Sequence, residues 1–120
     1  MGKKMINSNK LELIPEKFSY IIIIPLGNGE YLLEDQLRKK QFRINKTAYD
    51  ICVKIDGINT LGDISSQICR EYNIPIEQAQ NDVIDLYNFL KKNKLVLTKN
   101  NFLYKYIKFY YFITGISEGE

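Results

Sequence analysis

The chain has no histidine and no tryptophan, and only two cysteines, three prolines and seven glycines among its 120 residues. Without histidine there is no Ser–His or Cys–His pair to activate a nucleophile and no imidazole to hold a transition metal. Cys52 and Cys69 are too far apart for a CxxC redox motif and too few for a zinc ribbon, so they read as buried thiols in a reducing compartment. Sparse glycine and proline exclude a low-complexity or collagen-like chain. No apolar run approaches the roughly 18 residues needed to span a bilayer. The Lys/Asn-rich stretch from Met1 to Lys10 lacks the apolar core of a signal peptide, and the expectation is a cytoplasmic protein. A formal net charge of +3 is too mild to imply nucleic acid by itself.

What is present suits one globular domain. Hydrophobic residues make up 45% of the chain and charged residues 26%, enough to build one core and too short a chain for two. The β-branched run Tyr20-Ile21-Ile22-Ile23-Ile24 predicts a first strand over Phe18 to Leu26. Gly27-Asn28-Gly29 then predicts a hairpin turn. A second strand is expected from Glu30 to Glu34. A third, from Lys39 to Ile44, places Phe42 and Ile44 on one face and Gln41 and Arg43 on the other.

At Asn45 the period becomes helical. Asn45 is a good N-cap, followed by Ala48, Ile51, Cys52 and Ile55, with Asp56-Gly57 as the expected stop. Thr60 caps a second helix, with Asp63 at its third position and Leu61, Ile64, Ile68 and Tyr72 as its apolar stripe. Asn73-Ile74-Pro75 breaks it and opens a third, with the stripe Ile76, Ala79, Val83, Leu86, Tyr87 and Leu90. Leu95-Val96-Leu97 reads as a short strand or packed arm. Three antiparallel strands cannot cover their own apolar face, so the helices must pack on it. The expected class is α+β and winged helix-turn-helix-like: a three-stranded antiparallel sheet, three helices and a C-terminal aromatic extension.

Nothing in the pattern builds a catalytic centre. Gly27-Asn28-Gly29 is followed by no Lys-Ser/Thr and opens no helix, so it reads as a turn rather than a phosphate loop. Ser65-Ser66 lies inside a helix without a GxSxG context. The acids Asp50, Asp56, Asp63, Asp82 and Asp85 are scattered over caps and exposed faces. No catalytic residue, metal or cofactor is therefore expected. Two segments ask for more. Arg38, Lys39, Lys40, Arg43 and Lys46 surround the third strand with no acid among them. They read either as a solvated edge guarded against aggregation or as an edge that recruits an acidic peptide as an extra strand. The stretch from Phe102 to Ile116 is densely aromatic, reading as packing onto the domain's own core, docking on a partner, dimerisation, or lying on a membrane surface.

The ordered set Ile44-Asn45-Lys46-Thr47-Ala48, Ile51, Asp56-Gly57, Thr60, Ile64 and the segment Pro75 to Leu95, closing in Asn93-Lys94-Leu95-Val96, resembles the PqqD-like family, the RiPP recognition elements. Typical members read Leu-Asn-x-Thr-Ala at the first helix, where this chain has Ile44 for the leucine. Leu32-Leu33-Glu34 is similar to the family's second strand. The resemblance covers about Phe18 to Thr98. It implies a non-catalytic domain that binds the leader segment of a ribosomally made precursor peptide. The leader adds as a strand to the third strand's edge, against the third helix, and is presented to a radical SAM maturase, a cyclase or a leader peptidase.

Carried onto this sequence, the implied contacts are Lys39, Lys40, Gln41, Phe42, Arg43 and Ile44, with Ile84, Tyr87 and Lys91 as the helical wall. Arg43 and the neighbouring lysines are expected to select an acidic leader residue. The expected organisation is a flexible segment over 1–16, the peptide-binding domain over 17–98, and the aromatic extension over 99–120. The extension departs from the family pattern, and homodimerisation, enzyme docking or self-occupancy of the cleft are open roles for it. The rival reading is a winged-helix DNA-binding regulator. Against it, the third helix carries Glu77, Asp82 and Asp85 and no cation before Lys91, which opposes phosphate contact.

Overall fold

The computed structural model describes residues 10–100. The elements run in the order β1 (Pro15–Lys17), β2 (Ile21–Gly27), β3 (Glu30–Asp35), β4 (Lys40–Asn45), α1 (Lys46–Val53), α2 (Leu61–Tyr72), α3 (Ile76–Lys92) and β5 (Val96–Thr98), after a short 3-10 turn at Lys10–Glu12. The three strands expected from the sequence are β2, β3 and β4. They form one antiparallel sheet in the order β2-β3-β4.

The β2–β3 hairpin turns on Asn28 and Gly29, both at positive φ (56° and 75°). A two-residue Asn-Gly connection of that handedness matches the right-handed twist of the strands it joins. The register shifts between Pro25 and Gly27, which bends β2 near the turn. The β3–β4 connection is organised by Asp35. Its Oδ1 accepts from the backbone of Leu37 and Arg38, both at 3.0 Å, and its Oδ2 accepts from the Arg38 guanidinium at 3.2 Å. Asp35 and Arg38 are both buried. Arg38 also reaches the Tyr20 hydroxyl at 3.4 Å. It is thus a fixed internal partner of the turn, not one of a row of solvent-facing cations.

Asn45 caps α1 as its sequence position suggests, its Oδ1 accepting from the Ala48 amide at 2.9 Å. The helix is shorter than its apolar spacing implied. It ends at Val53, and Ile55 is buried from the loop beyond. Asp56 explains the stop, because its Oδ1 accepts from the amides of Ile58 and Asn59 at 2.9 Å each and so holds a turn that competes with helix. Gly57 takes φ +78° within that turn. Thr60 and Asp63 form a reciprocal capping box at the start of α2, both bonds at 3.0 Å. Asn73, left-handed at φ 52°, ends α2, and Pro75 stands just before α3.

β5 confirms a strand near Leu95-Val96-Leu97, and its partner is new: β1, with Pro15 opposite Thr98 and Lys17 opposite Val96. The expected flexible segment through residue 16 is therefore revised from Lys10 onward. That stretch makes a 3-10 turn and a strand clamped to residues some 80 positions away. Three residues with no alternation carry no local strand signal, and only the tertiary partner creates the strand.

The core lies between the sheet and the helices. Phe18, Leu33, Ile44, Ile51, Cys52, Ile55, Leu61, Ile64, Ile68, Ala79, Val83, Tyr87, Leu90 and Leu95 to Leu97 are all buried within it. The fold is α+β, a three-stranded antiparallel sheet with three helices, as the sequence implied. The aromatic extension from residue 101 lies outside the described residues. No helix among the described residues is long and apolar enough to cross a membrane.

Candidate functional site

The sheet has two outer strands, and they are not equivalent. β2 carries Pro25, which has no amide to donate, and its register slips beside that proline. β4 pairs without a break along one side, from Lys40 opposite Asp35 to Asn45 opposite Glu30. Among the described residues no strand pairs with its other side. β4 is therefore a regular edge with a row of main-chain donors and acceptors facing outward.

Alternation gives β4 two faces. Ile44 is buried and Phe42 partly buried on the helix side, while Gln41, Arg43 and Asn45 are exposed on the other. Phe42 meets α3 directly: its ring stands edge-on to Phe89 at 5.4 Å between centroids. Next to this contact a cleft of about 300 Å³ opens between the end of β4, the start of α1 and the flank of α3. Its lining is Asn45, Thr47, Ala48, Ile51, Asp82, Asp85 and Leu86. Asp82, Leu86 and Phe89 follow at i, i+4 and i+7 on one flank of α3, which meets β4 through Phe89 and lines the cleft through Asp82 and Leu86.

The charges around β4 are more committed than the sequence suggested. Arg43 pairs with Glu30 at 2.8 Å, both side chains more than half exposed. Lys46 pairs with Asp50 one turn on, at 2.9 Å. Lys39 holds the turn before β4 at φ 60°, and Lys39 and Lys40 are exposed. Among the described residues, the positive charge around β4 that is left unpaired is thus that of Lys39 and Lys40, at its start. At its far end the cleft is acidic. Burial, and then the negative charge of Asp85, push the Asp82 carboxyl above its ordinary range.

Of the nine expected site residues, the six on Lys39 to Ile44 lie along the open edge or point from it into the core. The helical three do not join them. Ile84 and Tyr87 are core residues, 5% and 1% exposed, and the Tyr87 hydroxyl shares a hydrogen bond with the buried Thr98 hydroxyl of β5. Lys91 is exposed, its ammonium 6.0 Å from the Tyr87 ring. At about 100° per residue, Ile84, Tyr87 and Lys91 sit on the flank of the core stripe opposite to Asp82, Leu86 and Phe89. The helical period located the stripe. Which flank turns toward β4 depends on how α3 lies on the sheet, and no local spacing carries that. The apolar Leu86 and Phe89, four and seven residues from Asp82, were the signal available.

The family model for Coenzyme PQQ synthesis protein D (PqqD) matches residues 23–96, more than half of the chain. The chain belongs to the PqqD family, as the residues from Ile44 to Val96 suggested. Two solved structures share the fold. A lasso peptide synthetase B1 complexed with the leader peptide is 20% identical, with a TM-score of 0.59 over 70% of this chain and 98% of its own. TbiB1 in complex with the TbiA(beta) leader peptide is 16% identical, with a TM-score of 0.59 over 68% of this chain and 93% of its own. No curated protein sequence matches the chain.

Proposed function

We propose that this domain is a non-catalytic recognition element. It binds the leader segment of a ribosomally made precursor peptide as a fourth strand on β4 and presents that precursor to a modifying enzyme. The observation that carries the reading is the uninterrupted outer edge of β4 with the cleft and Phe89 of α3 beside it. An extended peptide laid there gains main-chain hydrogen bonds whatever its sequence, and its alternate side chains fall toward the α3 flank, where selectivity is exercised. Ordering a disordered leader costs free energy, so the affinity is moderate for the length of contact. Family membership and two structural neighbours that hold leader peptides support the same reading. The presenting role leaves the chemistry to a partner such as a radical SAM maturase, a cyclase or a leader peptidase.

The test is an NMR titration of isotope-labelled protein with synthetic leaders encoded by short reading frames near its gene, with duplex DNA as the control. Saturable shifts in β4 and on the Asp82–Phe89 flank are the expected result. Shifts with DNA and with none of the peptides would contradict the proposal and favour a regulator.

A further inference from the structure

The contacts of α3 fix the direction in which it runs beside β4. Phe89 meets Phe42 near the middle of the strand, whereas Asp82 and Leu86 line the cleft together with Asn45, at the strand's end. The helix therefore runs antiparallel to β4, and its last turn lies toward Lys40. The backbone agrees. The Phe18 amide donates to the carbonyl of Leu95, just past α3, at 3.5 Å, and the Gln36 amide of the β3–β4 connection donates to the carbonyl of Tyr20 at 3.0 Å. The short segment from Phe18 to Tyr20 thus ties the end of α3 to the turn that opens β4.

Unpaired positive charge and apolar surface meet at this end. Lys40 shares the helix-side face of β4 with Phe42, about 7 Å along the strand from it. Lys92 follows Phe89 by three residues, about 5 Å further along the helix. Both lysines are exposed, and among the described residues neither makes an ion pair or a side-chain hydrogen bond. Asp35 stands opposite Lys40 across the sheet, but its carboxylate already accepts from Arg38 and from two amides of the turn. Arg43 lies on the other face and is engaged by Glu30. Lys92 also offsets the carbonyl end of α3, a role that needs no peptide. Helix stability does not require Lys40 on the strand beside it.

We infer that this end of the groove recognises an acidic side chain of the peptide docked on β4. The carboxylate sits between Lys40 and Lys92, two residues from an apolar side chain that packs on Phe42 and Phe89. This recognition rests on the strand-addition reading of β4 and adds charge and register to it. Residues of an added strand that face α3 recur at every second position, so one residue separates the acid from the apolar group. Main-chain hydrogen bonds alone leave such a strand free to slip by two residues. A carboxylate held at one end and an apolar group beside Phe89 pin it. A basic residue in the acid's place would meet like charge.

The test selects binders from a phage-displayed library of randomised linear peptides, with the full chain as bait. The bait is used in its original form, as Lys40→Glu/Lys92→Glu, and as Arg70→Glu, a charge reversal at an exposed position of α2. Amide NMR spectra first establish that both variants keep the fold. The original protein and Arg70→Glu are expected to enrich Asp or Glu two positions from an apolar residue. Lys40→Glu/Lys92→Glu should keep the apolar residue and select Lys or Arg at that spacing instead. Changing the acid of a selected peptide to its amide should weaken binding roughly fivefold at low salt, and by less as salt rises. Binders that protect β4 amides but carry no acid at that spacing would overturn the charge recognition and leave strand addition standing. The same holds for an acidic preference that survives the Lys40/Lys92 reversal or that Arg70→Glu also abolishes. Failure of every form to enrich a peptide that protects β4 would overturn both.

Discussion

The ring of Phe42 on β4 stands edge-on to the ring of Phe89 on α3, their planes 89° apart and their centroids separated by 5.4 Å. This contact joins the open edge of the sheet to the flank of α3 that lines the cleft. It fixes the spacing between the strand that would supply main-chain hydrogen bonds and the helix that would read side chains. Phe89 is still 36% exposed, so part of its ring remains available to a ligand.

Replacing Phe89 with alanine tests that double role. The lost edge-to-face contact is worth about 1 kcal/mol, and the removed area adds to it. The variant is therefore expected to stay folded with a lower denaturation midpoint. Its affinity for a bound leader should fall further than its stability does, read by calorimetric titration beside urea denaturation. Unchanged affinity would remove α3 from the site.

Tyr87 serves as the internal contrast. Its hydroxyl shares a hydrogen bond with Thr98 and ties α3 to β5, away from the cleft. Tyr87→Phe leaves the buried Thr98 hydroxyl without this partner, at a cost of about 1–2 kcal/mol. Peptide affinity should not change. A loss of affinity without a loss of stability would return Tyr87 to the binding surface.

Much of this arrangement was legible in the sequence. The β2–β3 turn, the Asn45 and Thr60 caps, the three helices and the strand that forms the edge all follow from local chemistry. Such signals depend on neighbours within a few residues: Asn28-Gly29 for the turn, Asp63 for the cap, alternation for β4. What was not legible depends on distant partners. β1 exists because β5 pairs with it. Arg38 looks like a surface cation until Asp35 and Tyr20 enclose it. The helical stripe does not say which of its flanks faces the sheet: the sequence pointed to Ile84, Tyr87 and Lys91, whereas Phe89, on the other flank, is the residue that meets Phe42 of β4.

Asp82 links pH to stability. Its carboxyl titrates above the ordinary range in the folded chain, chiefly from burial and then from Asp85. A raised folded-state value means that the proton is held more tightly when folded. Stability is then fully present below the unfolded-state value and is partly lost as pH rises through the folded one. Asp82→Asn removes that loss. The variant should be slightly more stable at pH 7, by a few tenths of a kcal/mol after solvent screening, with the difference vanishing in acid. Denaturation midpoints at pH 7 and pH 3 check this, and destabilisation at pH 7 would show that the carboxylate has a favourable partner.

Asp56 has the opposite sign. The backbone hydrogen bond from Asn59, with help from that of Ile58, holds its carboxyl below the ordinary value of 3.8 against the opposing effect of burial. Its contribution is present above the unfolded-state value and is lost as pH falls from about 4 through the lowered folded-state value. Asp56→Ala should cost about 1 kcal/mol at neutral pH by analogy with a lost cap. It should also flatten the decline of stability below pH 4, as measured by thermal unfolding across that range. A parallel decline would mean that the turn does not depend on the ionised side chain.

The central claim, that β4 takes a peptide as a further strand, is tested most directly by amide hydrogen exchange across Lys40 to Asn45, with and without a saturating leader peptide. The outward-facing amides of β4 should gain protection at alternate residues, while those already paired with β3 change little. Saturable binding that leaves every β4 amide exchanging as before, with new protection elsewhere, would contradict the account.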